Sequence, residues 1–347
     1  MSEKLTALQG LLKSKNLSGI VIEKQANFSW LTGGRGFIGL ASENACGCII
    51  VTTTGAIALS NNIESQRLAD EEFTSLPSRD FLWYDESVKP GIVRELAGEN
   101  VMTDTQLAPW FQTKRTTLDA TEQKNYRFAG KHCAKILEQA VAATKPGMTE
   151  FALAGDISAG LWSAGIEPIT LLIAFDERIQ KYRHPLPTAN ALKHHVMAAI
   201  CGRYKGLIVS VTRMAHIGKP PANLIKKYQA ALTANARAIN ATRPGETMDG
   251  IFAIIKNTYA ETGCTGEERL HHQGGLTGYV ARENRAMPGL TATIEANQAY
   301  AWNPSVTGAK CEDTILVLQR SNEIITHTGS WNYMQCEGLL LPDMIIV

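Results

Sequence analysis

The second half of the chain repeats one pattern at an interval of 98 residues, and this repeat restricts the possible fold more than any other feature. Residues 145–149 (Lys-Pro-Gly-Met-Thr) precede a helical pattern that stops at Gly165, and residues 243–247 (Arg-Pro-Gly-Glu-Thr) precede another that stops at Gly263. In each copy the Pro and Gly set a turn, the Thr can cap a helix, and the final Gly ends it. A coincidence between two Pro-Gly helix starts is the alternative, and the equal spacing at both ends disfavours it. The repeat predicts one α+β domain with internal pseudo-twofold symmetry.

The elements around the repeat can be predicted from hydrophobic periodicity. In the first part of the chain we expect a helix over residues 4–16, a strand over 18–23, a hairpin over 49–59, a strand over 101–103 and a long helix over 120–144. In the second part we expect strands over 169–175 and 196–211 in the first copy, and over 291–302 and 314–318 in the second. The change in pattern near residues 113–121 predicts a domain boundary, with an α/β domain over residues 1–118 and the repeat domain over residues 119–347.

Composition describes an ordinary globular protein. The chain has 347 residues, 44% of them hydrophobic and 19% charged, with a net charge of +1. Seven cysteines, an odd number, are typical of free thiols in a reducing compartment. The first residues form no apolar signal core and no apolar run reaches the length of a membrane span, so we expect a cytoplasmic protein without a membrane partner.

One segment is unusual in charge. Residues 178–245 contain no Asp or Glu, but they contain twelve Lys or Arg residues and four of the eight histidines. These basic residues are neither clustered nor interleaved with aromatic residues, so a nucleic-acid partner is not expected. A pocket lined by this segment would be neutral or positive and would favour an anionic ligand.

Several short motifs follow the repeat in a fixed order. They are Arg183-His184-Pro185, Thr212-Arg213, residues 271–275 (His-His-Gln-Gly-Gly), Arg282-Glu283 and residues 311–314 (Cys-Glu-Asp-Thr). Together with the repeated turns they resemble the creatinase, aminopeptidase P and methionine aminopeptidase family, whose catalytic domain has the pita-bread fold. Residues 27–33 and 62–64 resemble the family's N-terminal domain. The resemblance implies a creatinase-type α/β domain followed by an α+β pita-bread domain.

The resemblance also implies where metal ligands should stand. Metallopeptidases of this family bind two divalent ions through two aspartates, one histidine and two glutamates. The matching positions here hold Ala199, Ser210, Gly275, Asn303 and Glu312. A single carboxylate cannot offset the repulsion between two dications about 3.5–4 Å apart. We therefore expect a degenerate metal site and no metal cofactor.

The remaining candidates for catalysis also come from the resemblance. His184 matches a histidine that faces the substrate, and an imidazole can serve as acid or base near neutral pH. Glu312 and Glu283 are expected to support it, as glutamates do in creatinase, which acts without metal. A structural role is the alternative for each: a hydrogen bond to the backbone for His184, and a salt bridge for Glu312.

Three further residues are candidates for substrate binding. Arg282 stands where the family has a histidine, and together with Arg213 it offers a planar charge suited to a carboxylate or phosphate group. Tyr279 lies nearby in the sequence, although a tyrosine is more often part of a core. The adjacent pairs His271-His272 and His194-His195 are not expected to bind a metal ion, because neighbouring residues of a strand point to opposite faces.

Two functions remain open. One is a hydrolase that cleaves a C–N bond of a small amide, peptide or amidino compound without metal. The other is a non-catalytic relative that binds a small acidic ligand or a protein partner. An Xaa-Pro aminopeptidase that depends on metal is disfavoured, and a homodimer is expected from the resemblance alone.

Overall fold

A computed structural model describes the chain from residue 2 to residue 347 and divides it into two compact units. The first unit ends at Arg115, and the second runs from Thr116 to Val347. The helices are α1 Ser2–Lys15, α2 Gln25–Thr32, α3 Ser65–Arg67, α4 Lys89–Ala97, α5 Ala108–Thr116, α6 Ala120–Ala142, α7 Glu150–Ser163, α8 Glu177–Lys181, α9 Ala222–Ala241 and α10 Met248–Glu261.

The strands differ widely in length, and β7 and β8, with ten residues each, are longer than any other strand in the described part of the chain. They are β1 Gly19–Lys24, β2 Asn44–Thr52, β3 Ala56–Asn61, β4 Ser78–Phe81, β5 Val101–Thr103, β6 Glu167–Phe175, β7 His195–Tyr204, β8 Leu207–His216, β9 Gly274–Thr277, β10 Asn284–Arg285, β11 Ala299–Trp302, β12 Ser305–Val306, β13 Ala309–Lys310, β14 Asp313–Val317, β15 Asn322–Ile324, β16 Tyr333–Cys336, β17 Leu339–Pro342 and β18 Ile345–Ile346.

The first unit is an α/β domain built on one five-stranded sheet. Its strand order is β4-β3-β2-β1-β5, with β2 antiparallel to both β1 and β3, and β5 parallel to β1. The predicted hairpin is the β2–β3 pair, and the predicted first strand is β1. Ile20, Ile22, Ile49 and Ile50 are fully buried in its core.

The repeat predicted from the sequence is present in the second unit. Thr149 and Thr247 cap α7 and α10, each accepting a hydrogen bond from a backbone N–H in the first turn. The turn before each helix is fixed in the same way, since Gly147 N donates to Leu192 O and Gly245 N donates to Ile294 O. The two copies therefore share their capping and their hydrogen bonding as well as their order of elements.

The long helix of the second unit is also predicted correctly. α6 begins with a capping box in which Asp119 and Glu122 exchange hydrogen bonds between side chain and backbone. Such a box satisfies two donors that a helix start would otherwise leave free. α6 packs against β7 and β8, and its Tyr126 hydroxyl donates to Ile208 O at 2.5 Å.

Two sheets of the second unit meet where several of the candidate site residues lie. One has the order β18-β8-β7-β6 and the other β10-β9-β11-β14-β15. The strand expected over residues 196–211 is the pair β7 and β8, separated by a turn at Lys205 and Gly206, both with positive φ. A bridge between Thr212 of β8 and Glu312, just before β14, joins the two sheets. The strand expected from residue 291 begins only at Ala299, because residues 291–298 form a turn and irregular segments.

No helix in the described part of the chain combines the length and apolar character needed to cross a lipid bilayer.

Gly275 is a position where the backbone leaves no room for a side chain. Its φ is +151°, and a Cβ there would lie 2.1 Å from the backbone oxygen of Asn284 on the neighbouring strand. We predict that Gly275→Ala lowers the free energy of unfolding by about 2–4 kcal/mol. The measurement is denaturant unfolding followed by circular dichroism.

Gly289→Ala is the matched control, because Gly289 also has a positive φ (+79°) but a Cβ at this position would meet no atom within 4 Å. Its expected cost is about 1 kcal/mol, from the backbone conformation alone. Equal losses in the two variants would contradict the steric account.

Candidate functional site

A cavity of about 410 Å³ lies in the second unit, beside the bridge between Thr212 and Glu312. It is formed by parts of β6 and β7, by the loop after β9, and by the segments around β11 and β13. The residues that line it are Thr170, Leu172, His184, Ala199, Ile200, Cys201, His272, Val280, Ala281, Arg282, Arg285, Asn303, Lys310 and Glu312.

The Glu312 carboxylate is the charged centre of the cavity. One oxygen accepts a hydrogen bond from Arg282 Nη2 at 2.8 Å, while the other lies 3.1 Å from Lys310 Nζ and 2.7 Å from Thr212 Oγ1. The side chains of Glu312, Lys310 and Arg282 are at most 8% exposed. Glu312 is the one carboxylate among the five positions that match the family's metal ligands. It is paired here with two cations.

The same contacts fix the protonation state of Glu312. Burial alone would raise the pKa of its carboxyl group, but Lys310 and Arg282 outweigh burial and lower that pKa to about 2. The group is therefore ionised throughout the physiological pH range. It can orient cations, but it is too weak a base to exchange protons efficiently near neutral pH.

The other positions matched to metal ligands carry no acid or imidazole. Ala199 and Ser210 lie on neighbouring strands, and the Ser210 hydroxyl is 3.0 Å from Arg282 Nη1 and 3.2 Å from Cys201 Sγ. Asn303 is 2% exposed, and its Oδ1 has no hydrogen-bond partner among the described residues. Gly275 has no room for the histidine of the family motif.

Three histidines come together at one side of this cavity. His184 Nε2 and His271 Nε2 are 2.9 Å apart, and the His271 and His272 rings stack with their centroids 4.4 Å apart. The expectation that His271 and His272 point apart is wrong, because they lie in an irregular segment and β9 begins only at Gly274. One ligand atom from each of the three histidines lies within 4.8 Å of the others, close enough to hold a metal ion.

The environment keeps these imidazoles neutral. Burial, reinforced by Lys310, lowers the pKa of His184 below its usual value. Burial and the same ammonium lower the pKa of His271 to about 2, and burial with Arg282 lowers that of His272 to about 3. A neutral imidazole carries a proton on only one of its two ring nitrogens. In the hydrogen bond between His184 and His271, one ring therefore donates and the other accepts.

The lining of the cavity is positive overall. Arg282, Arg285 and Lys310 face one carboxylate, that of Glu312, which leaves a net charge of +2 when the imidazoles are neutral. Arg282 Nε is buried without an acceptor among the described residues.

Three residues expected at the site lie outside the cavity lining. Arg213 is buried and bonded to Glu138, Asp313 and two backbone oxygens, so a ligand in the cavity would not touch it. Tyr279 donates its hydroxyl hydrogen to Glu122 at 2.7 Å. Glu283 is 9% exposed, and its backbone N–H donates to Leu276 O.

Lys310 is one of the site residues that sequence reasoning missed. It lies two positions before Glu312 in an extended segment, and side chains two apart in such a segment point to the same side. From this two-residue spacing, a contact between Lys310 and Glu312 could have been predicted. The histidine trio had no comparable signal, because it depends on the path of an irregular loop.

Comparison with known proteins gives matches over both units. Residues 124–319 match the sequence profile described as metallopeptidase family M24, and residues 4–123 match the creatinase/prolidase N-terminal domain. An uncharacterized peptidase of Staphylococcus aureus is 26% identical over 245 residues, which cover 67% of this chain and 68% of that protein.

Solved structures share the fold across the whole chain. A prolidase from Pyrococcus horikoshii superposes with a TM-score of 0.79 and 19% identity, over 97% of this chain and all of that one. An X-Pro aminopeptidase from Thermotoga maritima gives a TM-score of 0.80 with 14% identity, over 99% of each chain. The predicted arrangement, a creatinase-type domain followed by a pita-bread domain, is confirmed.

The ionised state of Glu312 leads to a prediction about acid stability. Its pKa is about 2 in the folded chain and about 4.5 when unfolded, so its stabilising contribution is present above pH 4.5 and is lost as pH falls towards 2. We predict that Glu312→Gln is less stable than the parent at pH 7 by about 3–5 kcal/mol, because it leaves two buried cations without a partner. Between pH 5 and pH 3 the parent should lose more stability than this variant, by an amount on the order of 1–3 kcal/mol.

Denaturant unfolding at a series of pH values provides the measurement. Glu323→Gln is the control, since Glu323 pairs with Arg127 at a partly exposed site where such pairs contribute little. A Glu312→Gln profile parallel to that of the parent would contradict the assignment.

Proposed function

The chain belongs to metallopeptidase family M24, and from that premise we propose that it is a hydrolase that cleaves a C–N bond without the family's two metal ions. Its substrate would be a small amide, peptide or amidino compound with an anionic group. The observation that carries the proposal is the Glu312 carboxylate held by Lys310 and Arg282 in a cavity that His184 also lines.

The side chains at the ligand positions do not fit a dinuclear metal centre. Each Glu312 oxygen is already engaged by a protonated nitrogen, so a metal ion would have to displace Lys310 or Arg282. Those two cations would also repel it, and Ala199 and Ser210 supply no charge to offset the repulsion. Lys310 and Arg282 thus supply positive charge of the kind that metal ions supply in a metallopeptidase.

His184 has the properties of a general base. Its pKa lies below the usual value, so the ring is neutral at pH 7 and can accept a proton from an attacking water molecule. Addition of water to the carbonyl or amidino carbon forms the C–O bond. The imidazolium then returns its proton to the leaving nitrogen as the C–N bond breaks, which regenerates neutral His184.

Lys310 and Arg282 are placed to stabilise the negative charge that develops during this addition. The Lys310 ammonium has three N–H groups, and Arg282 Nε has no acceptor among the described residues. Preorganised donors of this kind typically contribute about 3–4 kcal/mol of transition-state stabilisation each. Asn303 Oδ1, also without a partner among those residues, offers an acceptor for an N–H group of the substrate.

A non-catalytic protein that binds an acidic ligand is the second candidate. The positive lining of the cavity favours it as much as it favours an anionic substrate. The two candidates differ in whether the proton acceptor His184 is needed. A binding protein requires only the cations.

A screen for turnover tests the proposal. Small amides, dipeptides and amidino compounds with a carboxylate group would be incubated with the parent protein in the presence of a metal chelator, and products would be detected by mass spectrometry. We predict turnover that survives the chelator and falls by about 100-fold or more in His184→Ala. His132→Ala is the control, since His132 lies on α6 outside the cavity lining.

Three outcomes would oppose this proposal. Turnover unchanged by His184→Ala would remove His184 from catalysis, and turnover abolished by the chelator would restore a metal mechanism. Saturable binding of a screened acid without turnover would favour the non-catalytic function.

The pKa of His184 gives a prediction that needs no substrate. Arg285 is one of the cations that lower this pKa, so its removal should raise it. We predict that the imidazole of His184, followed by NMR between pH 4 and pH 8, titrates below its usual pKa in the parent and at a higher pH in Arg285→Gln.

Arg269→Gln is the matched control, because the Arg269 side chain is 82% exposed and does not line the cavity. It should leave the titration unchanged. An unchanged His184 titration in Arg285→Gln would contradict the electrostatic account of the cavity.

A further inference from the structure

A second, larger cavity in the same unit has no part in the proposed hydrolysis. It has a volume of about 630 Å³ and lies at the end of the hairpin where β7 begins and β8 ends. His195, the first residue of β7, is four positions before Ala199, which corresponds to roughly 13 Å along the strand. The two cavities share no lining residue.

The N-terminus of α9 opens into this cavity. α9 has 20 residues, its N-cap position is Pro221 with no capping side chain, and its first turn contains no acidic residue. The backbone N–H groups of Leu224 and Ile225 donate to Pro221 O, whereas no acceptor is found among the described residues for that of Asn223. Free N–H groups and the helix dipole at such an end attract anions.

A buried histidine supplies an independent sign of a ligand. His195 is 8% exposed and lines the cavity, and its Nε2 has no hydrogen-bond partner among the described residues. His216 lies beside it, with ring centroids 5.9 Å apart. Since His216 Nδ1 donates to the Gly218 carbonyl at 2.9 Å, its Nε2 is the nitrogen left for a ligand.

The charges that line the cavity favour an anion. Lys219 and Lys227 have no acidic partner among the described residues, and Lys227 is half-buried. The single acidic side chain is that of Asp176, whose oxygens accept hydrogen bonds from the backbone N–H groups of Lys193, His194 and His195. With neutral imidazoles, two lysines and one aspartate leave a net charge of +1.

We propose that this second cavity is a binding site for a phosphate group. Lys219 and Lys227 would pair with the phosphate oxygens at the start of α9, and His195 would donate to one of those oxygens through its Nε2–H. Because His216 Nδ1 carries the proton of a neutral ring, His216 Nε2 would accept a hydrogen bond from the P–OH group of a monoprotonated phosphate. Tetrahedral oxyanions suit a site that combines a helix N-terminus with lysines, because several donors then converge on one group. Ile217 and Leu224 supply apolar surface for the organic part of a phosphate monoester, which the volume of the cavity can accommodate.

Calorimetric titration with inorganic phosphate and with glycerol 3-phosphate tests this site. We expect saturable binding at one site per chain in the parent. Lys227→Ala should weaken it by at least about tenfold, and Asn223→Asp, which places a carboxylate at the start of α9, should weaken it as strongly. Tighter binding of glycerol 3-phosphate would identify a monoester as the ligand class, and equal binding would identify free phosphate.

Two control variants locate the binding. Lys226→Ala removes an exposed lysine next to Lys227 that does not line the cavity, and it should change the dissociation constant by less than about twofold. Arg285→Ala removes a cation from the Glu312 cavity and should also leave phosphate binding intact. The proposal would be overturned by an absence of saturable binding, by equal effects of Lys227→Ala and Lys226→Ala, or by binding that Arg285→Ala abolishes.

Discussion

The Glu312 carboxylate between Lys310 and Arg282 is the interaction on which the site depends. All three side chains are almost fully buried, and a buried charge is stable only when it is paired and hydrogen-bonded. Removing Glu312 would leave two cations in the cavity without a partner. The three residues therefore form one electrostatic unit, and its cations reinforce burial in lowering the pKa values of the nearby imidazoles.

The fold brings this unit together from distant parts of the chain. Thr212 on β8 bonds both the backbone and the carboxylate of Glu312, and Thr314 on β14 exchanges hydrogen bonds with the backbone of Ser210. These hydrogen bonds connect β8 of the first copy of the repeat to β14 and Glu312 of the second copy. Arg282 comes from the loop after β9, a short strand whose glycines pack directly against neighbouring backbone. The arrangement is thus fixed by the sheets rather than by flexible side chains.

Much of the fold could be predicted from the sequence because it depends on local signals. The Pro-Gly turns, the capping threonines and the capping box at Asp119 act within a few residues of their own position. The position of Lys310 beside Glu312 could also have been predicted, because the two residues are two positions apart in an extended segment. Arg213 could not be placed in this way, because its partner Glu138 lies 75 residues away and only the packed structure shows that they meet. The histidine trio was misjudged for a related reason, since its geometry comes from a loop and not from a strand.

The metal content of the protein tests the central claim most directly. Purified protein would be dialysed without chelator, analysed for all transition metals, and then titrated with Mn²⁺, the carboxylate-preferring ion of such centres. If Lys310 and Arg282 occupy the place of the metal ions, the protein should contain far less than one metal ion per chain and should show no saturable binding of Mn²⁺. Two tightly bound ions per chain would contradict this account, because they would lie where the structure has fixed cations. One ion that is lost in His271→Ala would also contradict it, because the three histidines would then be metal ligands and His184 would not be free to act as a base.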